Sequence, residues 1–256
     1  MATPCEAIWF PSKPSSSTPT LSVILAGTEE EIRECQRLRY DIFAKEMGAK
    51  LDTKVPGLDV DRFDNLCKHL MVRDNQTNKV VGTTRLIIGN NPQQKVHYYS
   101  ETEFDLTNVL HLPGRFMEVG RTCIHPDHRN GSTIAVLWQG LARLMVMHQV
   151  DYLIGCASIS LDDGGANAKA IMERLRQKNF AAADQRVYPH RALPAPSTTH
   201  LGAPNIPSLL KAYLRLGATI CGEAYWDPDF NVADVFVLLN RDKIDKRYSR
   251  HFVQSA

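Results

Sequence analysis

Residues 115–149 read RFMEVGRTCIHPDHRNGSTIAVLWQGLARLMVMHQ. An apolar strand carrying Glu118 and Arg121 comes first, then a polar turn from His125 to Ser132, then an apolar helix beginning near Thr133. A turn that feeds a helix aims several backbone N–H groups and the positive end of a helix dipole at one point, which suits an anionic phosphate. The phosphate-binding candidates are Ile124, Arg129, Asn130, Gly131, Ser132 and Thr133. A phosphate-bearing acyl carrier is a ligand of the right kind. The same residues also fit an ordinary connection between a strand and a helix.

Outward from this stretch, composition bounds the rest. The 256 residues are enough for one large domain or two small ones. Fractions of 43% hydrophobic and 23% charged residues belong to a globular protein, and a net charge of +2 argues against nucleic acid as a partner. The six cysteines, Cys5, Cys35, Cys67, Cys123, Cys156 and Cys221, have neither metal-ligand spacing nor a disulfide pattern. They read as free thiols in a reducing cytosol, with no metal site. No apolar run reaches the roughly 18 residues of a membrane span, so a cytoplasmic location is expected.

Residues 1–20 include PSKPSSSTPT and read as a flexible leader, because such a tract buries too little apolar surface to offset its ordering entropy. A single domain is expected over 21–240. It opens with a strand at 21–26 and a helix from Glu29 to about Glu46, with Thr28 as N-cap. A long polar loop follows to Asn65, then a hairpin of 67–73 and 79–88. Residues 89–113 are loop-rich with a short helix near 100–110. Beyond the central stretch come a strand at 152–158, a helix at 166–178, a surface excursion at 189–207, and a short helix at 208–216 closed by Gly217. A final hairpin of 218–227 and 232–240 leads into a basic tail at 241–256. The pattern predicts an α/β (α+β) fold, a mixed and mostly antiparallel sheet flanked by helices.

Five short stretches carry the chemistry: Arg39-x-x-x-Phe43, Asp59-x-Asp61 with Phe63-Asp64, Gly82-Thr83-Thr84-Arg85-Leu86, Glu118-Val119-Gly120-Arg121, and the polar turn. The turn resembles the coenzyme A pyrophosphate loop of the acetyltransferase-like (GNAT) superfamily, with Asn130 and Ser132 where that loop has glycines. In order and spacing the five stretches resemble the acyl-homoserine-lactone synthase branch of that fold. Ala49 lies near the place of that branch's tryptophan. The segments EVGRTCIHPDHRNG, DYLIGCASISLDDGG and PSLLKAYLRLGATICGEAYWDPDFNVADVFVLL resemble the bacterial ornithine N-acyltransferases of aminolipid synthesis.

That resemblance implies transfer of a 3-hydroxyacyl group from acyl carrier protein to the α-amine of L-ornithine, giving lyso-ornithine lipid, with no permanently bound cofactor. It makes Glu118, Gly120 and Arg121 the catalytic candidates: Glu118 accepts the amine proton, and a strand N–H near Gly120 polarises the thioester carbonyl. Arg39, Phe43, Asp59, Asp61 and Arg85 are the substrate-binding candidates. Arg85 and Arg121 are offered to the loop acids or to the substrate carboxylate. For the side-chain ammonium of ornithine the candidates are Asp162, Asp163 and Glu223. A regular strand would put Glu118 and Arg121 on opposite faces, and a bulge at Gly120 would bring them onto one. Competing readings are another amino-acid acceptor, an acyl-homoserine-lactone synthase, or a non-enzymatic module on a membrane or acyl carrier. The basic tail is offered to anionic lipid headgroups, a peripheral contact with the inner membrane.

Overall fold

The computed structural model describes residues 20–89, 96–199 and 202–244. Residues 1–19 of the expected leader and 245–256 of the expected tail lie outside this set. The chain forms a mixed α/β fold whose sheet is mostly antiparallel, and its described residues divide into two compact units, 20–87 with 119–149, and 88–89, 96–118, 150–199 and 202–244. The single domain expected over 21–240 spans both.

The first unit begins with β1 (Leu21–Leu25) and α1 (Glu29–Tyr40). Thr28 and Glu31 form a reciprocal cap at the start of α1, and Glu29, Glu30 and Glu31 favour its positive end. The expected helix to Glu46 instead changes to a wider π turn over Asp41–Glu46, in which Met47 N–H donates to Ile42 C=O at 2.9 Å. This turn buries Ile42 and Phe43. After the loop, β2 (Lys68–Asp74) pairs antiparallel with both β1 and β3 (Lys79–Ile88).

The short two-residue strand β4 (Phe104–Asp105) and the single-turn α2 (Thr107–Leu110) come next, in the second unit. Strand β5 (Phe116–Ile124) leaves that unit at Glu118 and enters the first at Val119. Helix α3 (Gly131–Met147) then packs on β1 and β2. Gly140 makes that packing close: a Cβ there would stand 2.6 Å from Val23 Cγ2 and 3.1 Å from Leu70 Cδ2.

In the second unit, β5 pairs parallel with β6 (Tyr152–Ser160) over Phe116 to Glu118. Helix α4 (Ala166–Lys178) follows, then β7 (Tyr188–Pro189), which pairs with β4, and α5 (Ser208–Arg215). The strand expected over 218–227 is broken into β8 (Thr219–Ile220) and β9 (Tyr225–Asp227), both antiparallel to β10 (Val232–Asn240). At the break Val187 N–H donates to the Cys221 carbonyl at 2.7 Å, and Gly222 lets the Val187 carbonyl come closer than a Cβ would allow. Strand β10 also pairs with β6 along its whole length, and Ile154, Leu210, Tyr213 and Phe236 form the core beside it.

Candidate active site

In the first unit, α1 delivers Arg39 to the loop acids. Its side chain is fully buried. Nε donates to Asp59 Oδ2 at 2.7 Å, Nη1 to Asp64 Oδ1 at 2.9 Å, and Nη2 to the Asp59 carbonyl and to Asp64 Oδ2. Burial works against the Arg39 charge, but Asp59 and Asp64 outweigh it and raise its pKa above the ordinary value. Burial likewise opposes the Asp64 charge, and hydrogen bonds from Arg39 overcome it, holding this carboxyl well below its usual range. From β3, Arg85 Nη1 donates to Asp61 Oδ1 at 2.6 Å and to Asp64 Oδ2 at 3.3 Å. From β5, Arg121 stands 3.4 Å from Asp59 and 3.6 Å from Asp61. Three guanidinium groups thus hold three loop carboxylates. His69 lies 3.6 Å from Asp64, and burial followed by the Arg39 charge pushes it down to about 4.

Arg121 is also a backbone irregularity, with φ of 52°. A non-glycine residue with a left-handed conformation inside a strand is costly and marks a place the surroundings hold in position. The kink therefore falls at Arg121 and not at Gly120. Beside Gly120 there is open space, since a Cβ there would meet nothing within 4 Å, and its carbonyl accepts from the Thr84 hydroxyl at 3.3 Å.

The polar turn contains a short 3-10 segment over Pro126–His128, and the His125 ring accepts from Asp127 N–H. Asn130 is the N-cap of α3: its Oδ1 accepts from Thr133 N–H at 3.2 Å and from the Ser132 and Thr133 hydroxyls. Gly131 faces open space. Arg129 binds the Glu46 carboxylate with both terminal nitrogens, at 2.6 and 2.7 Å, and its Nε donates to the Ile124 carbonyl.

In the second unit, Glu118 is buried and accepts hydrogen bonds from Tyr99 and Ser100. Tyr99 N–H donates to Oε2 at 2.6 Å, while Ser100 N–H and Oγ donate to Oε1 at 2.8 and 2.6 Å. Ser100 Oγ also lies 3.3 Å from Cys156 Sγ. Glu118 thus orders the segment before β4. Sequence reading missed Ser100, which carries no motif, and Asp64 enters as the third acid of the first unit's network. The three acids offered to an ornithine side chain are not brought together. Glu223 pairs with Arg176 at 2.6 Å, Asp163 accepts the Gly165 and Asn167 amides at the head of α4, and Asp162 accepts from Ser160 and Asn231.

The fold and these clusters define an acyltransferase of the GNAT type, and residues 38–139 match the model of the acetyltransferase (GNAT) domain family. The chain is 34% identical to the L-ornithine N(alpha)-acyltransferase of Brucella abortus (strain 2308), over 93% of its own length and 90% of the relative. It is 31% identical to that of Rhizobium meliloti (strain 1021), over 92% and 85%. The chain belongs to the L-ornithine N(alpha)-acyltransferase family and is an N-acyltransferase. Solved structures of the same fold include the AHL synthase LasI (TM-score 0.52, 11% identity, 92% of this chain and 96% of that one). They also include FeeM, an N-acyl amino acid synthase from uncultured soil microbes (TM-score 0.53, 12% identity, 87% and 92%). Among the described residues no helix is long and apolar enough to cross a membrane.

Proposed function

We propose that the chain moves a 3-hydroxy fatty acyl group from acyl carrier protein to the α-amine of L-ornithine. The observation that carries this reading is the similarity to named ornithine acyltransferases, which runs over at least 90% of the chain at 31–34% identity. In the proposed reaction the ammonium loses a proton, the neutral amine attacks the thioester carbonyl, and the C–S bond breaks with the second amine proton leaving on the carrier thiol. Glu118 is the proposed proton acceptor, with Ser100 Oγ as its hydrogen-bonded neighbour. The thioester carbonyl is proposed to lie in the open space beside Gly120, polarised by a β5 amide. The network of Arg39, Asp59, Asp61, Asp64, Arg85 and Arg121 is proposed to fix the acid loop and to present a guanidinium to the substrate carboxylate, with Phe43 as apolar wall.

Acyl carrier protein is favoured over coenzyme A by Asn130. Its side chain already accepts the Thr133 amide, so the helix start has fewer donors for a pyrophosphate than a glycine turn would have. A single phosphate on a pantetheine arm asks for less. The peripheral inner-membrane contact remains part of this proposal through the basic tail.

Expression in a bacterium without aminolipids, followed by mass spectrometry of the lipid extract, tests the reaction. A mono-acylated ornithine is expected; an acylated homoserine lactone or another acylated amino acid would overturn the acceptor. Kinetics with one acyl chain on both carriers test the donor, and equal use of acyl-coenzyme A would contradict it. Glu118→Gln is expected to lower turnover on the order of 10²–10⁴-fold. Unchanged turnover across the pH range would remove it as base.

A further inference from the structure

One side-chain group in the second unit has no place in the chemistry above. Glu103, Asp227 and Asp234 each offer a carboxylate oxygen, and these three atoms lie within 4.8 Å of one another. They come from separate elements: Glu103 precedes β4, Asp227 ends β9, and Asp234 sits in β10 opposite Ser158, whose hydroxyl donates to it at 2.6 Å. Glu103 is 3% exposed, and its Oε2 is buried without a hydrogen-bond partner. Neither Glu103 nor Asp227 makes an ion pair among the described residues. Asp227 Oδ1 accepts the Asp229 and Phe230 amides, so the buried oxygen without a hydrogen bond is Glu103 Oε2, and holding it among two further carboxylates costs free energy that a cation would offset. Burial and then the Asp234 charge push the Glu103 carboxyl well above the usual carboxylate range.

We infer that Glu103, Asp227 and Asp234 form the site for the side-chain ammonium of the amino-acid substrate. A primary ammonium has three N–H donors, matching three converging acceptors. Position supports the same occupant. In the sheet register Ser158 opposes Asp234 and Cys156 opposes Phe236 in β10, while Ile154 opposes Glu118 in β5. Alternation along β6 puts Ile154, Cys156 and Ser158 on one face. Glu118 and the acid trio therefore share a face of one unit, linked by Ser100 and Cys156: Ser100 Oγ reaches both Glu118 and Cys156, and the Cys156 thiol lies beside the Glu103 carboxyl. A substrate with one amine at Glu118 would carry its second amine along this face towards the trio. Tyr225, half-buried and packed on Phe104, offers apolar surface to the substrate's methylenes at the solvent edge. Asp227 and Tyr225 are half-buried, so the trio opens to solvent at that edge.

This inference rests on the amino-acid reading of the reaction, and its test separates the two. Calorimetric titration of the full chain with L-ornithine and L-norvaline, which keeps the three carbons and lacks the second amine, should show ornithine tighter by at least about a hundredfold. Glu103→Gln and, at the solvent edge, Asp227→Asn should each shrink that gap to below about tenfold and leave norvaline binding unchanged. Equal binding of the two amino acids by the natural chain would overturn the site, as would a gap that survives both substitutions. Magnesium or calcium binding that is lost in the variants, with the gap intact, would assign the trio to a metal and overturn it as well. Acylation measured in parallel tells the two failures apart. Acylation of ornithine with the gap untouched in both variants leaves the reaction standing and sinks the site; selective binding without acylation of any amine does the reverse.

Discussion

In the first unit, Arg39, Arg85 and Arg121 face Asp59, Asp61 and Asp64, while in the second unit Glu103 and Asp227 converge on Asp234 with no ion pair to either of the first two among the described residues. Both clusters bury carboxylates against a sheet. The difference lies in who supplies the counter-charge. A buried network that is already neutral can hold a loop in one place, and it responds to acid when its carboxylates protonate. A cluster in which Glu103 Oε2 is buried without a hydrogen bond would be stabilised by a cationic ligand. The first arrangement suits a scaffold for substrate, and the second suits a specificity pocket.

The comparison breaks most visibly at Arg39. Arg39→Met leaves Asp59 and Asp64 buried without their main partner and should cost about 3–5 kcal/mol of stability, read as a lowered urea midpoint. A loss under about 1 kcal/mol would show that the network is not held by this residue.

Next comes acid. His69 is held near 4 in the fold against 6.5 in the unfolded chain, so between those values the unfolded state binds the extra proton. Stability from this residue is complete above about pH 6.5 and should fall by a few kcal/mol as pH drops towards 4, from a shift of that size. His69→Gln should flatten that slope in pH-dependent thermal unfolding. An unchanged slope would refute the assignment.

Glu103 has the opposite sign. Its raised carboxyl binds a proton that the unfolded chain has lost, so its contribution weakens as pH rises from the unfolded value of 4.5 through the folded one. Glu103→Gln should therefore raise the thermal midpoint of the protein at pH 8. Loss of stability at pH 8 would mean the cluster is already compensated. The smallest effect sets the baseline: Thr28→Ala removes the α1 cap and should cost about 1 kcal/mol with little dependence on pH from 5 to 8.

How legible these features are in the sequence depends on the range of the interaction that makes them. The start of α1 is local, with Thr28 and Glu31 one turn apart, and α4 is set by apolar residues at helical spacing. The acid loop and its arginines are visible as unlike charges concentrated in short stretches. The break between β8 and β9 is not, since the close approach of Gly222 to the Val187 carbonyl found there joins distant parts of the chain. The π turn at Asp41–Glu46 continues an apolar spacing that a regular helix would satisfy equally well. The acid trio is the extreme case. Glu103, Asp227 and Asp234 have no shared motif: register sets Asp227 and Asp234 on neighbouring strands and the segment before β4 adds Glu103, whereas neighbourhood in sequence favoured Asp162, Asp163 and Glu223.

Gly140 carries a consequence of another kind. At this position α3 has no side chain towards the strands beneath it, and Val23 and Leu70 close the gap. A methyl group at this position is a wedge of known size driven at a known point. The response of amide hydrogen exchange in β1 and β2 to Gly140→Ala would gauge how stiffly the first unit transmits a displacement from helix to sheet.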